Sequence, residues 1–377
     1  MKILGIETSC DETAIAILDI EENESDISVR VLANEILSQI ELHRPYGGVF
    51  PNLAKREHEK NLEPILQKAL TAAGILEATE RDGASPSDSP AGEYAYSKMP
   101  AAVSAIAVTQ GPGLEPCLWT GINFAKELAK KWNVPLIPAN HMEGHILAAL
   151  LKKGRGENEF VFAAPEYPSI ALLISGGHTE LVLMREFGKY EVIGKTRDDA
   201  VGECFDKTAR LLGLPYPGGP EISKLAAEAR KESLKLETPL PRPMIDTDNL
   251  DFSFSGLKTA VLYAIKKETE TGGLSSDKIK MYAREIEEAI TDVLATKVEK
   301  AIEKYSAESI IAGGGVIANT FIRSALQKLA DSYDIPLYLP HISHATDNAL
   351  MIALAGYFKL EQKHEKDFGA EGNLILD

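Results

Sequence analysis

The sequence is poor in cysteine and aromatic residues and contains no long apolar run. Its three cysteines, Cys10, Cys117 and Cys204, form no C-x-x-C pair, which excludes a disulfide framework and a thiolate zinc finger and favours a reducing cytoplasm. No apolar stretch approaches the roughly 20 residues that cross a bilayer. Since Glu7 interrupts the apolar start, we expect neither a secretory signal nor a membrane partner.

Positive charge is also scarce, because 40 basic residues face 56 acidic ones and give a net charge of −16. A chain that binds nucleic acid by itself is usually basic, so RNA bound here would need positive surface from another component. The length of 377 residues predicts two domains at a typical size of about 150 residues each. The content of 44% hydrophobic and 25% charged residues is that of an ordinary globular protein.

Two patterns each occur twice along the chain. Two apolar runs around a polar turn indicate β-hairpins at 2–18 and at 169–184. A strand, a glycine-rich loop and a helix follow at 105–129 and again at 309–326. This order predicts an α/β fold built from a duplicated unit.

The duplication divides the chain into domains at 1–155 and 156–377. The first domain carries a low-complexity insertion at about 77–100. Apolar periodicity predicts further helices at 52–73 and 279–305. We expect a C-terminal helix at 348–363 to cross back onto the first domain.

His141 and His145 are four residues apart. On a helix this spacing brings the two imidazoles to within about 40° of each other, as a metal requires. The competing interpretation is a pair of histidines that only contact solvent at a helix start. The tail segment offers a third ligand from Asp347, His344 or His341, which favours metal binding.

Glycines mark two turns that are suited to an anion. Gly176 and Gly177 lie in the second hairpin turn, where backbone N–H groups can approach a phosphate, although such a pair is also simply a good turn. The loop 313–315 favours a nucleotide at a helix N-terminus, with Asn319 near ribose or base, or else tight packing. Two facing hairpins and a glycine loop around one nucleotide cleft are typical of the actin-like, sugar-kinase-like (ASKHA) ATPase fold.

Two further segments have alternative interpretations. Asp206 with Lys207 is either a surface pair on a helix or part of a site. The alternating aromatic and hydroxyl residues at 251–259 indicate either an edge strand with a helix cap or a surface for a stacked base.

Over most of its length the chain resembles the universal tRNA threonylcarbamoyl transferase family, which is actin-like in fold. The matching strings, in order, are those at 5–13, 141–145, 173–179, 202–209, 217–220, 251–259, 312–319 and 346–348. The resemblance implies transfer of a threonylcarbamoyl group from threonylcarbamoyl-AMP to the exocyclic amine of adenosine at tRNA position 37. The chain departs from the family pattern at 77–100, at 115–117, at 313–319 and at Ser223.

The resemblance also implies a site and partners. His141, His145 and Asp347 would bind one divalent metal ion, iron or zinc, with iron slightly preferred. The adenylate, or bound ATP or ADP, would contact Leu173, Ile174, Ser175, Gly176, Gly177, Asp206, Gly219 and Asn319. The partners implied are tRNA, an inactive paralogue and a small ATPase, in a homodimer or a heterodimer with the paralogue. Basic residues that are candidate tRNA contacts are Lys224, Arg230, Lys231 and Lys235.

Three other functions fit parts of the sequence. A metal-dependent endopeptidase needs His-Glu-x-x-His, whereas Glu143 lies one place later and faces away from the two histidines. A small-molecule kinase of the same fold needs a carboxylate base and turns over ATP without tRNA. A non-catalytic scaffold has no need of three converging ligands.

Overall fold

The computed structural model describes residues 1–23, 26–76, 103–270, 272–362 and 367–376, so the expected insertion at 77–100 lies outside the described residues. The strands of a first sheet are β1 (Lys2–Glu7), β2 (Glu12–Glu22), β3 (Ile27–Ser38), β4 (Ala105–Gly111), β5 (Leu136–Asn140), β6 (Leu151–Lys153) and β7 (Glu159–Phe162). Those of a second sheet are β8 (Ser169–Ile174), β9 (Thr179–Glu186), β10 (Lys189–Lys195), β11 (Ser309–Gly313) and β12 (Leu337–Tyr338).

Helices pack on both sheets. They are α1 (Ile40–His43), α2 (Pro51–Ala72), α3 (Glu115–Trp132), α4 (His141–Ala149), α5 (Val201–Leu211), α6 (Gly218–Lys231), α7 (Ser255–Glu270), α8 (Ser276–Tyr305), α9 (Thr320–Tyr333) and α10 (Ala349–Lys359). The helices predicted at 52–73 and 279–305 are α2 and α8. No helix of the described ranges combines the length and the apolar character that crossing a membrane requires.

The two sheets share one strand order. The first runs β5-β4-β1-β2-β3 and continues into β7 and β6, while the second runs β12-β11-β8-β9-β10. In each sheet an antiparallel hairpin comes first, and its first strand then pairs in parallel with the strand before the glycine loop, Ile3 with Ala105 and Ser169 with Ser309. The predicted duplication of an α/β unit is confirmed.

The first sheet extends beyond residue 155. Strand β7 pairs antiparallel with both β3 and β6, so a domain boundary at 155 would cut the hairpin β6–β7. The backbone groups of β7 find their partners in the first sheet. We therefore propose to divide the chain at 163–168, where it passes from one sheet to the other.

Helix α10 lies on the first sheet, although it follows the second sheet in sequence. It contacts β1, β2, β4 and β5, and its first eight residues are buried. A helix that is apolar on all sides is stable only when it is surrounded in this way. A Cβ at Gly5 would lie 2.2 Å from the carbonyl oxygen of Ala349, so the absence of a side chain lets α10 rest directly on β1.

Candidate metal and substrate site

The side chains of His141, His145 and Asp347 meet beside the N-terminal turns of α4. Their ligand atoms all lie within 4.8 Å of one another. Oδ1 of Asp347 is 3.1 Å from Nε2 of His145 and 3.4 Å from Nε2 of His141. Two imidazole nitrogens and a carboxylate oxygen suit zinc or iron and leave coordination positions open. The donor set therefore fits a divalent metal.

Two asparagine caps fix the segments that carry these ligands. The side chain of Asn140 accepts a hydrogen bond from the N–H of Met142 at 2.9 Å and begins α4. The side chain of Asn348 accepts one from the N–H of Met351 at 3.2 Å and begins α10. Such caps satisfy the free N–H groups of a helix start. Because Asn348 directly follows Asp347, its cap also fixes the backbone beside Asp347, the candidate carboxylate ligand.

Glu7, which is not among the site residues predicted from the sequence, supports His141. Its Oε2 lies 2.9 Å from Nδ1 of His141 and accepts a hydrogen bond from the Thr109 hydroxyl at 2.7 Å. The side chain is fully buried at the end of β1. A carboxylate on one ring nitrogen orients the other nitrogen toward a metal. The only sequence signal is an acid in a hairpin turn, where acids are usually solvated.

The charges of this group stabilise one another. Burial by itself lowers the pKa of His141, but the carboxylates of Asp347 and Glu7 raise that pKa well above its ordinary value. Burial opposes ionisation of Asp347, yet His141 and His145 hold its pKa well below the usual range. The group thus places ionised carboxylates beside buried imidazoles. A metal binds carboxylates and imidazoles in their deprotonated forms.

The second hairpin turn faces the same group. Burial, together with the charges of His141 and His145, lowers the pKa of His178 to about 4, so its imidazole is neutral near pH 7. A Cβ at Gly176 or Gly177 would meet nothing within 4 Å, so the backbone of this turn borders open space. The two glycines were predictable from their sequence pattern, whereas His178 was not, because only the fold brings it toward α4.

Two glycines of the later loop hold that loop against the hairpin and α4. A Cβ at Gly313 would lie 2.8 Å from the carbonyl oxygen of His145. A Cβ at Gly314, where φ is +92°, would lie 2.4 Å from the carbonyl oxygen of Ile174. Only glycine permits both the contact and the positive φ. The two glycine turns predicted from the sequence therefore border the His141–Asp347 group.

The predicted substrate residues at 173–175 can contact a ligand mainly through their backbone atoms. The side chains of Leu173 and Ile174 are fully buried in the cores, so only their backbone can contact a ligand. Ser175 closes the turn, since its N–H donates to the carbonyl of His178 at 2.9 Å and its hydroxyl accepts from the N–H of His178 at 3.1 Å.

Asp206, Gly219 and Asn319 lie on the second half of the molecule. Asp206 accepts a hydrogen bond from the N–H of Gly218 at 2.7 Å, which places its carboxylate beside Gly219 at the start of α6. Asn319 caps α9 and also donates to Oε1 of Glu287 at 2.7 Å. Much of the hydrogen-bonding capacity of Asn319 therefore serves the fold.

The segment 251–259 forms a helix cap. Asp198 accepts hydrogen bonds from the hydroxyls of Ser253 and Ser255, the latter at 2.6 Å, at the start of α7. The rings of Phe252 and Phe254 are fully buried. The alternative of a base stacked on these rings is therefore wrong.

Glu143 points away from the two histidines and into the packing of α10. Its Oε2 lies 2.6 Å from Nζ of Lys359, and its Oε1 accepts a hydrogen bond from the Tyr190 hydroxyl at 3.2 Å. The general base of a metalloprotease has to reach the water that it activates. This geometry disfavours the endopeptidase interpretation.

The two sheets have the same strand order, and glycine turns and a buried group that could hold a metal lie beside them. These features define an α/β protein of the actin-like, sugar-kinase-like class. The chain is similar to HypF from T. kodakarensis, with a TM-score of 0.54 and 14% identity, over 96% of this chain and 48% of that one. It is also similar to full-length HypF in its phosphate- and nucleotide-bound form, with a TM-score of 0.50 and 12% identity, over 96% of this chain and 56% of that one. At these identities the similarity shows the fold alone.

Sequence comparison shows the family. The family model described as tRNA N6-adenosine threonylcarbamoyltransferase (TsaD) matches residues 30–79 and 96–354. A relative from Chromobacterium violaceum, named tRNA N6-adenosine threonylcarbamoyltransferase, is 40% identical over 362 residues, which are 96% of this chain and 94% of the relative. The chain belongs to the tRNA N6-adenosine threonylcarbamoyltransferase family, and the resemblance found in its motifs is confirmed.

Proposed function

We propose that this chain transfers the threonylcarbamoyl group of threonylcarbamoyl-AMP to the exocyclic amine of adenosine at tRNA position 37. The names of the family and of the C. violaceum relative support the tRNA substrate and the group transferred. The observation that carries the proposal for this chain is the convergence of His141, His145 and Asp347 within 4.8 Å. The glycine turn at 176–177 borders this group.

The donor is a mixed carbamic–phosphoric anhydride whose leaving group is AMP. Negative charge grows on the phosphate oxygens as the anhydride bond breaks. A divalent ion on His141, His145 and Asp347 would supply a Lewis acid that neutralises this charge. Iron and zinc both suit the ligands, and iron is our first choice.

The chain's own residues position the reactants. The N–H groups of Gly176 and Gly177, which border open space, would donate to the carbamoyl or phosphate oxygens. Asp206, Gly219 and Asn319 would contact the threonine part or the ribose of the adenylate. Holding the adenylate and the adenosine amine in the orientation for reaction lowers the activation barrier by itself.

The proposal includes partners and a cellular place. An inactive paralogue and a small ATPase would assist the reaction, and the chain would form a homodimer or a heterodimer with the paralogue. The site would hold the adenylate, or ATP or ADP between turnovers. Since tRNA is the acceptor, we place the reaction in the cytoplasm.

The test is product formation in a reconstituted mixture. The full chain, the accessory proteins, the enzyme that makes the adenylate and unmodified tRNA are combined, and threonylcarbamoyladenosine is measured by mass spectrometry of the nucleosides. The double variant His141→Ala/His145→Ala should lose at least about a hundredfold in rate, since the metal contributes several kcal/mol. His341→Ala, which removes an exposed histidine, should retain the wild-type rate.

A different result would contradict each component of the proposal. Undiminished activity in the double variant would reject the metal role. Wild-type chain that makes no product in the complete mixture would reject the transfer. ATP hydrolysis or casein cleavage by the chain alone, without tRNA, would favour the kinase or the endopeptidase instead.

A further inference from the structure

A pocket of about 390 Å³ opens between the two halves of the molecule. Arg44 and Gly47 line one side, and Asp206, Arg210 and Tyr216 line the other. Nε of Arg44 donates to the carbonyl of Tyr216 at 3.0 Å, and the guanidinium of Arg210 donates to the carbonyl of Gly47. The volume falls within the roughly 300–1,000 Å³ of ligand pockets. Asp206 also belongs to the predicted substrate site, so the cavity adjoins that site. We call it the entrance pocket.

Two aromatic rings stack at the edge of the entrance pocket. Tyr46 lines the pocket, and its ring lies 5.7 Å from that of Phe50 at an interplanar angle of 23°. The two residues are 63% and 50% exposed. Exposed apolar surface of this kind commonly serves binding. A flat ring also suits a nucleobase, and such stacking contributes about 1–3 kcal/mol per base.

Two arginines supply positive charge beside these rings. The side chain of Arg44 is 46% exposed, and its 2.8 Å ion pair with Glu41 lies at the surface, where such pairs are weak. Arg210 is exposed on the other side of the pocket. Aromatic faces combined with guanidinium groups are the usual means of recognising unpaired RNA bases.

Among the basic residues predicted as tRNA contacts, Arg230 on α6 is a weaker candidate than the arginines of the entrance pocket. Arg230 lies 2.6 Å from a carboxylate oxygen of Glu287 and 3.4 Å from one of Glu288. Its guanidinium also covers the ring of Phe321 at 3.6 Å. An arginine held by two carboxylates presents little free charge to a phosphate, so Arg230 is less suited to an RNA contact than Arg44 or Arg210.

Hydrogen bonds link the entrance pocket to the candidate metal site. The N–H of His43, the residue just before the pocket lining begins, donates to the carbonyl of Gln39 at 3.1 Å, and the N–H of Gln39 donates to the carbonyl of Asp11 at 3.0 Å. Two residues before Asp11, the hydroxyl of Ser9 lies 3.3 Å from Nδ1 of His141. These contacts put the pocket close to the centre where we place the transfer.

We propose that the entrance pocket binds an unpaired nucleobase of the tRNA anticodon loop, stacked on Tyr46, while Arg44 and Arg210 contact neighbouring phosphates. This inference rests on the proposed function, which brings the anticodon loop to the site. Stacking is tolerant of base identity, so the pocket accepts loops that differ beside the modified adenosine.

The first experiment measures the affinity of the full chain, with its accessory proteins, for a labelled anticodon stem-loop RNA. Tyr46→Ala should weaken binding about five- to 150-fold, because it removes one stacked base. Tyr46→Phe keeps the ring and should stay within about twofold of wild type. Tyr263→Ala removes a tyrosine on α7 that is 66% exposed and should change nothing.

The second experiment measures the salt dependence of the same binding. Arg44→Gln should reduce the slope of log affinity against log salt by about 0.7, the value for one lost phosphate contact on a single strand. Arg185→Gln is the matched control, because Arg185 is also exposed and has a surface ion pair, to Glu191. Its slope should equal that of wild type.

The outcomes separate this inference from the proposed function. Unchanged RNA affinity in Tyr46→Ala overturns the entrance pocket, even when wild type forms product. Weaker association with the paralogue in sedimentation, without weaker RNA binding, also overturns it and makes the surface a protein interface. Absence of product in wild type rejects the proposed function, whereas the RNA measurements still decide on the pocket.

Discussion

His141 is held at both ring nitrogens, by Glu7 at Nδ1 and by Asp347 at Nε2. Nε2 of His145 also lies beside Oδ1 of Asp347, so the Nε2 atoms of both histidines point toward the same carboxylate oxygen. Glu7 is fully buried, so its carboxylate would be costly without these partners. At the scale of single residues, Glu7 therefore positions His141, a candidate metal ligand.

Glu7→Gln should lower metal affinity about 10- to 100-fold, the usual cost of losing an outer partner of a histidine ligand. Affinity is measured by competition between the chain and a chelator for Zn²⁺, and the absorption spectrum with Co²⁺ reports the ligand geometry. Glu41→Gln, at an exposed side chain, is the control. Equal affinities in wild type and Glu7→Gln would contradict the positioning role.

Single residues were predictable from the sequence where a local pattern carried the information. The spacing of His141 and His145 depends only on helix geometry, and the structure brings the two rings together. The partners of Glu7 and His178 come from distant segments, so no local pattern could reveal them. Asn319 caps α9, a role that the sequence did not suggest, and its contact with a substrate stays a prediction.

At the scale of elements, glycines decide how closely the hairpin, the loop and α4 approach. Gly314 combines a φ of +92° with a backbone contact to Ile174, whereas Gly188 has a φ of +74° and nothing within 4 Å. Substitutions at these two positions therefore separate the cost of a positive φ from the cost of steric crowding. The hairpin turn at 176–177 and the loop at 313–315 were predictable from the sequence, but the contacts between the hairpin, the loop and α4 depend on the whole fold.

Gly188→Ala should lose about 1–2 kcal/mol of unfolding free energy, because a side chain disfavours positive φ. Gly314→Ala should lose about 1–3 kcal/mol more, since its Cβ would also press on the Ile174 carbonyl. Urea unfolding followed by circular dichroism measures both losses. Equal losses in the two variants would show that the loop does not pack as tightly as described.

At the scale of the whole molecule, the candidate metal site joins distant parts of the chain. His141 and His145 belong to α4, which follows the first sheet's β5, while Asp347 directly precedes the cap of α10. The duplicated α/β unit was predictable, because the same local pattern of hairpin, strand, glycine loop and helix occurs twice along the chain. The pairing of β7 with β3 was not, since it depends on tertiary contacts across more than a hundred residues.

Metal should therefore stabilise the entire chain. Zn²⁺ at a hundred times its Kd should add about 2.7 kcal/mol to the free energy of unfolding and raise Tm accordingly. Asp347→Ala should abolish this increase, while His341→Ala should preserve it. An equal rise in Tm for wild type and Asp347→Ala would mean that the metal binds elsewhere.

The position of α10 has a consequence for biosynthesis. Ribosomes deliver a chain from its N-terminus, and early domains commonly fold first. Here β1, β2 and β4 await a covering helix that emerges only after residue 348. The first half therefore stays incomplete until translation has passed the second half. Since Asp347 also emerges late, a metal held by the proposed ligand set would bind only near the end of maturation.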